Sequence, residues 1–390
     1  MRSTRAEIDL SALRSNFASL RALGPAGGLM CPMVKANAYG HGAVEVSRVL
    51  RAAGATVLGV ALFEEGIRLR DEGDRGGLLV FGPFDRPALD EALARDLTPV
   101  VGSLDQLERL ADHLSLGRPA QPPVGPVSIH LEFDTGMNRL GLRPTDAASA
   151  RRLLDRTPLL RLDGVCTHLR SGEDLGHPGG ESDAQMATFT GVVDVFRGRS
   201  FSVHVLNSAG LVNQPPNQPS VTLGCRPGIS LYGAMPSFAP VMTLKSNLVQ
   251  FHRLDVNERV SYGGTWRAER RSLIGVLPVG YADGYFRAFS NKGSALVRGR
   301  LAPVAGRVCM DYLMLDLTEI EAATGEIPLG EEAVLFGRQA PPAGPVRELR
   351  AEDVTGQIDT IPYELFTAVS ARVPRVYVDR LEKREPEWAT

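Results

Sequence analysis

The sequence has few cysteines and no long apolar run, and these two scarcities exclude several classes of protein. Only four of the 390 residues are cysteines, and they are scattered without a CxxC pair, which argues against a disulfide scaffold and a zinc site. We expect buried, reduced thiols, as in a cytoplasmic protein. The apolar runs fall far short of the roughly 20 residues of a membrane-spanning helix. The N-terminus lacks the apolar segment of a secretory signal.

The chain also lacks an excess of charge of one sign. With 43 basic and 45 acidic side chains, its formal net charge is −2, which gives no indication of a nucleic-acid or membrane partner. Hydrophobic residues make up 43% of the chain, an ordinary value for a globular protein. A chain of this length suits two domains.

Between residues 25 and 235, short β-rich runs alternate with helical patterns. The runs predicted to be strands are Leu29–Lys35, Thr56–Leu62, Gly77–Phe81, Thr98–Val101, Val127–Phe133, Leu162–His168, Ser202–Leu206 and Leu223–Tyr232. The clearest amphipathic stretches between them are Ala43–Ala53, Leu104–Leu114 and Ala147–Leu154. Eight parallel βα units predict a (β/α)8 TIM-type barrel, with an open, doubly wound sheet as the structural alternative.

After about residue 236 the helical alternation stops, and short apolar runs are bounded by Gly, Pro and Asn. These runs are Leu244–Leu254, Ser272–Val279, Ala295–Val297, Leu313–Leu317 and Ala333–Phe336. Such a pattern predicts a mostly β domain, with helix and loop over Glu352–Val373 and a final run at Val376–Val378. We therefore expect a barrel over residues 1–236 and a mostly β domain over residues 237–390.

A lysine stands at the end of the first predicted strand, in the stretch VKANAYGHG that runs from Val34 to Gly42. A lysine at the end of a buried strand is unfavourable unless its amine is neutral, paired or covalently used. A Schiff base with pyridoxal phosphate is one such use of Lys35, and an ordinary solvated lysine is the alternative.

Further polar residues lie after the other predicted strands or, for His168 and Arg226, at the end of the sixth and within the eighth, near where the catalytic groups of a barrel lie. They are Asp134, Asn138, Arg139, His168, Asn207, Ser208 and Arg226. Phosphate sites are commonly formed after strands seven and eight, so Ser208 and the amides of Gly228 and Ile229 are predicted to hold a phosphate. Taken singly, each of these residues also fits a purely structural role, in a turn, in the core or in an ion pair. Together they favour an anionic, phosphorylated cofactor.

The ordered set of motifs resembles the bacterial alanine racemase family, whose members are fold-type III pyridoxal phosphate enzymes. The matching stretches are Ala6–Leu10, Val34–Gly42, Asp134–Gly141, Thr167–His168, Asn207–Ala209, Arg226–Gly233, Ser261–Thr265, Val279–Tyr285, Gly306–Asp311 and Arg372–Arg375. The resemblance implies interconversion of L-alanine and D-alanine with pyridoxal 5'-phosphate. It also implies a cytoplasmic homodimer with shared active sites that supplies D-alanine for peptidoglycan precursors.

The resemblance also implies a role for individual residues. Lys35 and the partner subunit's Tyr262 are implied to be the two proton-transfer bases, with the Arg226–His168 pair favouring the tyrosine anion. The implied cofactor-binding residues are Lys35, Tyr39, His168, Asn207, Ser208, Arg226, Gly228 and Ile229. The implied substrate-binding residues are Arg139, Met310 and Asp311. The residues implied to line the funnel into the site are Glu173, Tyr281, Arg287 and Arg307.

Two positions depart from familiar members of the family. Glu132 stands where some relatives carry a carbamate-modified lysine, and a glutamate there would hold Arg139 without modification. Ala371 stands where some relatives have a tyrosine near the phosphate and the substrate methyl, which keeps open a broader alanine and serine racemase. Three further functions compete with these: a same-fold amino-acid decarboxylase, a non-catalytic pyridoxal phosphate carrier and a periplasmic broad-specificity racemase.

Overall fold

The computed structural model describes residues 3–116, 125–214, 222–341 and 344–379. It divides into two compact units. The barrel unit consists of Phe17–Ala38 and Ala43–Leu231, and the β unit consists of Met1–Asn16, Tyr39–Gly42 and Tyr232–Thr390. The sequence predicts a single boundary at residue 236, whereas the β unit also includes the N-terminal segments Met1–Asn16 and Tyr39–Gly42.

The barrel unit is built on a parallel sheet with helices between its strands. The strand β1 (Arg5–Asp9) and the helix α1 (Leu10–Leu23) precede it. Its strands are β2 (Val57–Val60), β3 (Gly77–Val80), β4 (Thr98–Val101), β5 (Val127–Glu132), β6 (Leu160–Cys166), β7 (Ser202–Leu206) and β8 (Leu223–Cys225). They lie side by side in sequence order, and every pair is parallel.

Helices connect these strands as the sequence pattern predicts. They are α3 (Ala43–Ala52), α4 (Phe63–Asp71), α5 (Arg86–Ala94), α6 (Leu104–Ser115), α7 (Ala147–Arg156), α8 (Glu181–Val195) and α9 (Ser208–Asn213), and the short turn α2 (Lys35–Tyr39) precedes them. Within the described residues, no helix has both the length and the apolar character needed to cross a bilayer.

The sheet closes through the segment that the sequence predicts as the first strand. Met30 pairs with Cys225 of β8, and Met33 pairs with Gly59 of β2, both in parallel. These are isolated bridges, because Pro32 has no N–H to donate and interrupts the ladder between them. The prediction of a continuous strand was therefore wrong, but the segment occupies the eighth position of a barrel, which rules out an open sheet.

The eighth predicted strand is also shorter than expected. β8 ends at Cys225, and the chain then turns, with the amide of Leu231 donating to the carbonyl of Gly228 at 3.0 Å. Pro227 lies at the start of this turn and cannot extend a central strand. The turn leaves the Gly228 region as a loop at the carboxyl end of the barrel.

The barrel core contains thiols, as the scattered cysteines predict. Cys31 and Cys166 pack with Leu79 and Val100 in one buried cluster. All four cysteines lie in the described part of the chain, and all are free thiols. Burial raises the pKa of Cys31 to about 12, so this thiol stays protonated and unreactive at neutral pH.

The β unit confirms the mostly β character predicted for the C-terminal part. Its strands are β9 (Met242–Asn247), β10 (Gln250–Leu254), β11 (Arg259–Val260), β12 (Trp266–Arg267), β13 (Ser272–Leu277), β14 (Ser294–Val297), β15 (Arg300–Pro303), β16 (Leu313–Asp316), β17 (Glu332–Gln339), β18 (Arg347–Leu349) and β19 (Arg375–Val378). Its helices are α10 (Thr318–Thr324), α11 (Ala351–Gly356) and α12 (Pro362–Ala368). One sheet runs β15-β14-β17-β9-β1-β19, and a second runs β10-β13-β16.

The N-terminal strand is one of the parts of this unit that the sequence pattern missed. β1 lies between β9, to which it is antiparallel, and β19, to which it is parallel. Glu7 of β1 accepts from Lys245 at 2.7 Å, and this pair fixes the register of β1 against β9. Residues at the two ends of the chain therefore form one sheet.

Candidate active site

Lys35 stands at the start of a left-handed turn. Ala36, Asn37 and Ala38 have φ and ψ near 50°, and Tyr39 has a φ of 52°. A left-handed helical conformation is unfavourable by about 1–2 kcal/mol for each L-residue. The sequence predicts a helix-like segment after Lys35, but its handedness cannot be read from the pattern. Strained backbone of this kind is typical of functional sites.

The amine of Lys35 is half-buried in a cluster of charges within the barrel unit. Burial lowers its pKa, and the nearby cations Arg139 and Arg226 lower it further, while the carboxylates Glu65 and Glu132 oppose the shift. A lowered pKa increases the fraction of neutral amine, which is the form that attacks a carbonyl or accepts a proton. These surroundings favour a covalent and proton-transfer role over a solvated lysine.

Arg226 is buried and its guanidinium is held from several sides. It donates to Nδ1 of His204 at 2.8 Å and to the backbone carbonyl of Thr167 at 2.7 Å. Because arginine only donates, Nδ1 of His204 accepts, and its Nε2 proton is left to donate to Nδ1 of His130 at 2.7 Å. The chain of hydrogen bonds fixes the tautomer of both imidazoles.

The histidines beside Arg226 are neutral. Burial and the charge of Arg226 lower the pKa of His168 to about 3, and burial lowers the pKa of His130 to about 4. Nη2 of Arg226 lies 3.5 Å from Nδ1 of His168, so the two predicted residues lie together, with the positive charge on Arg226. His204 and His130 were not predicted, although histidines inside two buried strand patterns were a usable signal.

The loops after β7 and β8 form a cluster of donors around one hydroxyl. Oγ of Ser208 accepts from the amide of Gly228 at 2.9 Å and from the amide of Ser230 at 3.3 Å. The hydroxyl of Ser230 lies 2.9 Å from the same oxygen. Ile229 is buried between them. Backbone amides that converge in this way are typical of phosphate sites, and Ser230 is a member that the sequence pattern did not indicate.

Asn207 and Tyr39, two further residues predicted to bind the cofactor, have different surroundings. Oδ1 of Asn207 accepts from the amide of Gly210 at 2.9 Å, so this side chain caps α9. Tyr39 is buried against Tyr232, with ring centroids 4.9 Å apart, in the β unit. Asn207 therefore orders the loop that carries Ser208.

Glu132 is the last residue of β5, and its carboxylate is buried. Burial raises its pKa, while Arg226, Arg139 and Lys35 act to lower it. Arg139 is exposed at the end of a turn in which Oδ1 of Asp134 accepts from the amide of Asn138 at 2.9 Å. The structure thus brings Glu132, Arg139, Arg226 and Lys35 into one electrostatic cluster.

The predicted residues of the β unit lie largely on its surface. Tyr262 is 71% exposed and lines an open cavity of about 590 Å³ together with Cys309 and Tyr312. Ser261 has a φ of 65° and donates from its hydroxyl to the carbonyl of Arg307 at 2.6 Å. These contacts fix the turn that carries Tyr262 beside the segment that carries Arg307.

A second group of predicted residues gathers around the 309–311 segment. The amide of Tyr281 donates to the carbonyl of Cys309 at 3.0 Å, and Met310 is exposed. Asp311 accepts from Arg372 at 2.7 Å, and Arg372 also contacts the buried Asp283 at 3.2 Å. Arg287 of the β unit and Glu173 of the barrel unit are exposed.

Comparison with known proteins agrees with this site. The family model "Alanine racemase, N-terminal domain" matches residues 8–236, and "Alanine racemase, C-terminal domain" matches residues 241–377. Curated alanine racemases of Sorangium cellulosum and Geobacter sulfurreducens are 40% and 36% identical over 97% of this chain, and over 99% and 98% of their own lengths.

Solved structures of alanine racemases are also similar to this chain. An alanine racemase from E. faecalis has a TM-score of 0.85 and 31% identity, covering 97% of this chain and 98% of that chain. Another from Bartonella henselae, with covalently bound pyridoxal phosphate, has a TM-score of 0.83 and 25% identity, covering 97% of this chain and all of the other.

The closed barrel, the lysine in its charged cluster and the phosphate-type loops define a barrel-class pyridoxal phosphate enzyme. Within that class, the chain belongs to the alanine racemase family, as both of its family models and its full-length relatives show. It is therefore an isomerase. The match to residues 241–377 excludes a barrel-only cofactor carrier, and the family excludes a decarboxylase.

Proposed function

We propose that Lys35 and Tyr262 of the partner subunit are the two bases in the pyridoxal phosphate-dependent interconversion of L-alanine and D-alanine. Racemisation removes the Cα proton from one face and returns a proton to the other, so one base held on one face does not serve both. The observation that supports this proposal is that Tyr262 is 71% exposed in the single chain. A reacting group needs a site from which water is excluded, which a second copy would provide.

The residues of the barrel unit fit the cofactor. Ser208 with the amides of Gly228 and Ile229 would hold the phosphate, and the convergent donors around Ser208 support this assignment. Tyr39 of the β unit is proposed as a further phosphate-binding residue. Lys35 would hold the cofactor covalently. When bound, pyridoxal phosphate supplies the electron sink for the Cα carbanion.

Arg226 would set the charge at the ring end of the bound cofactor. It is a permanent cation that donates to Nδ1 of His204 at 2.8 Å, and its Nη2 lies 3.5 Å from Nδ1 of His168. A guanidinium at the pyridine nitrogen of the bound cofactor would disfavour protonation of that nitrogen. The cofactor would then be a weaker electron sink, which would leave less scope for side reactions such as transamination. Racemisation therefore depends more strongly on the placement of the two bases.

Substrate recognition is assigned to groups from both copies. Arg139 of one subunit would bind the alanine carboxylate, and Met310 and Asp311 of its partner would lie near that carboxylate. The ion pair from Arg372 to Asp311 supports this role, because it fixes the segment that carries Met310. The entrance residues would be Glu173, Tyr281, Arg287 and Arg307. We propose that the enzyme acts in the cytoplasm as a homodimer with shared active sites and supplies D-alanine.

Glu132 is proposed to hold Arg139 in place of a modified lysine. Replacing Glu132 with Gln keeps the shape but removes the charge that faces Arg139, Arg226 and Lys35. We expect KM for alanine to rise about tenfold, since a tenfold change corresponds to about 1.4 kcal/mol, the scale of one charge-assisted hydrogen bond. Steady-state kinetics in both directions measure the effect.

Glu132→Lys is the matched control. Bicarbonate should raise the activity of this variant, because carbon dioxide converts the lysine amine to a carbamate, with release of a proton, and restores a negative charge. The same bicarbonate should leave the native enzyme unchanged. A Glu132→Gln enzyme with native KM would contradict the role of Glu132.

Incubation of the native enzyme with each single enantiomer in heavy water tests the two-base reaction. We expect L-alanine and D-alanine each to yield the other, with deuterium at Cα of the product.

Because Ala371 is exposed and lacks the hydroxyl found in some relatives, we also expect slow racemisation of serine. Chiral chromatography with mass spectrometry measures both reactions. A negligible serine rate beside rapid alanine turnover would reject the broader specificity alone.

A further inference from the structure

The left-handed turn that carries Lys35 has an intrinsically unfavourable backbone. A hydrogen bond across its start runs from the amide of Ala38 to the carbonyl of Val34 at 2.8 Å. The side chain of Asn37 accepts from the amide of Ala43 at 2.9 Å where α3 begins. L-residues do not form left-handed turns by intrinsic preference, so contacts from outside the turn have to maintain this conformation.

Glu65, in the first turn of α4, holds the start of this turn. One carboxylate oxygen accepts from the amide of Ala36 at 2.6 Å. The other accepts from the amides of Ala61 at 2.8 Å and Leu62 at 3.1 Å, at the carboxyl end of β2. A single carboxylate therefore ties the residue after Lys35 to the adjacent barrel strand, and ionised acceptors make the stronger hydrogen bonds.

Arg375, at the start of β19, holds the exit of the turn within the β unit. Its Nε donates to the carbonyl of Gly40 at 2.9 Å. Its remaining donors bond the carbonyls of Ser370 at 2.6 Å, Val373 at 2.8 Å and Val369 at 2.5 Å. The guanidinium thus joins Gly40 to the 369–373 segment through backbone atoms alone.

The glycine at this exit is required by the same contact. Gly40 has a φ of 81°, and a Cβ at this position would collide with the carbonyl of Phe366. The backbone at Gly40 therefore lies directly against α12, which precedes the 369–373 segment that Arg375 bonds. Both ends of the strained stretch are fixed, the start by an anion that accepts and the exit by a cation that donates.

We propose that Glu65 and Arg375 are positioning residues that maintain the left-handed turn and so set the orientation of Lys35 for covalent capture of the cofactor. This proposal rests on the assignment of Lys35 as the cofactor-binding lysine. Glu65 acts through the amide of Ala36 and Arg375 through the carbonyl of Gly40. Neither residue is assigned a contact with the cofactor itself.

The test compares Glu65→Gln and Arg375→Lys with Arg70→Lys as the control. Arg70 is a buried arginine that, like the partly buried Arg375, bonds backbone carbonyls, those of Arg95 at 2.9 Å and Asp96 at 3.0 Å, but it does not contact the turn. Arg70→Lys therefore shows how much stability the enzyme loses when an arginine away from the turn loses its bonds to backbone carbonyls. Asp146→Asn is the control for Glu65, because Asp146 likewise accepts from a backbone amide, that of Arg143 at 3.2 Å.

Two measurements on the full-length enzyme report on the turn. The first is amide hydrogen exchange of the peptide over residues 34–42 with pyridoxal phosphate bound. The second is a titration with pyridoxal phosphate, which gives the cofactor concentration at which half of Lys35 is trapped by borohydride, measured by peptide mass spectrometry. We expect Glu65→Gln and Arg375→Lys to speed exchange in this peptide, and to raise the half-trapping concentration, each on the order of tenfold.

The controls should lower the melting temperature without either effect. Native exchange and trapping in both test variants would overturn the proposal, and so would equal changes in Arg70→Lys. If Glu65→Gln does not fold, Arg375→Lys tests the exit of the turn independently, and the reverse also holds. Trapping of the native enzyme at a lysine other than Lys35 would instead refute the assignment of Lys35.

Discussion

Replacement of Lys35 with alanine is expected to lower the rate of alanine racemisation by at least about 10⁴-fold, since it removes the covalent attachment and one of the two bases together. The charged cluster explains why no neighbour can substitute. Arg139 and Arg226 are permanent cations and cannot accept a proton as a base does, and both lower the pKa of Lys35. Glu132 is a carboxylate and cannot form the covalent link.

The small number of lysines makes this prediction easy to check. They stand at positions 35, 245, 292 and 383. Borohydride trapping followed by peptide mapping should place the cofactor on Lys35 in the native enzyme and on none of the others in Lys35→Ala. Lys292→Ala, at an exposed position, is the matched control and should trap and turn over as the native enzyme does. Covalent cofactor retained by Lys35→Ala would refute the assignment.

The sequence predicts the barrel because hydrophobic periodicity records which faces are buried. It does not show whether the backbone can form a continuous ladder of hydrogen bonds. For this reason the prediction of a strand at residues 29–35 was wrong. The apolar pattern of a strand is present, but Pro32 reduces it to bridges at Met30 and Met33. For a similar reason β1 was missed, because its partners β9 and β19 lie hundreds of residues away and no local pattern announces them.

The site was predictable where chemistry depends on side-chain type and less so where it depends on backbone conformation. Lys35, Arg226 and Ser208 follow strand ends and were predicted. The handedness of the turn after Lys35 was not, since Ala36 and Ala38 have no left-handed preference. Glu65 was overlooked because it resembles an ordinary acidic residue in the first turn of a helix.

Replacement of Tyr262 with phenylalanine is expected to lower racemisation by about 10²–10⁴-fold, the usual contribution of one general acid or base. The ring remains, so the turn held by Ser261 should stay folded. Both directions must slow equally, because the equilibrium constant is unchanged. The distinguishing result is exchange of the Cα proton with heavy water from only one enantiomer, detected by mass spectrometry. Exchange from both enantiomers would show that Tyr262 is not a base.

Heterodimers test whether Tyr262 acts across a subunit boundary. If each site combines Lys35 of one copy with Tyr262 of the other, a heterodimer of Lys35→Ala and Tyr262→Phe contains one intact site and should recover about half of native activity. Co-expression with two different affinity tags allows its purification. Each parent homodimer should stay inactive.

The reciprocal heterodimer makes the outcome unambiguous. A native chain paired with the Lys35→Ala, Tyr262→Phe double variant has no intact site if sites are shared, but one intact site if each chain serves itself. Shared sites therefore require recovery in the first heterodimer and loss in the second, and self-contained sites require the opposite. The 71% exposure of Tyr262 in the single chain leads us to expect the first pattern.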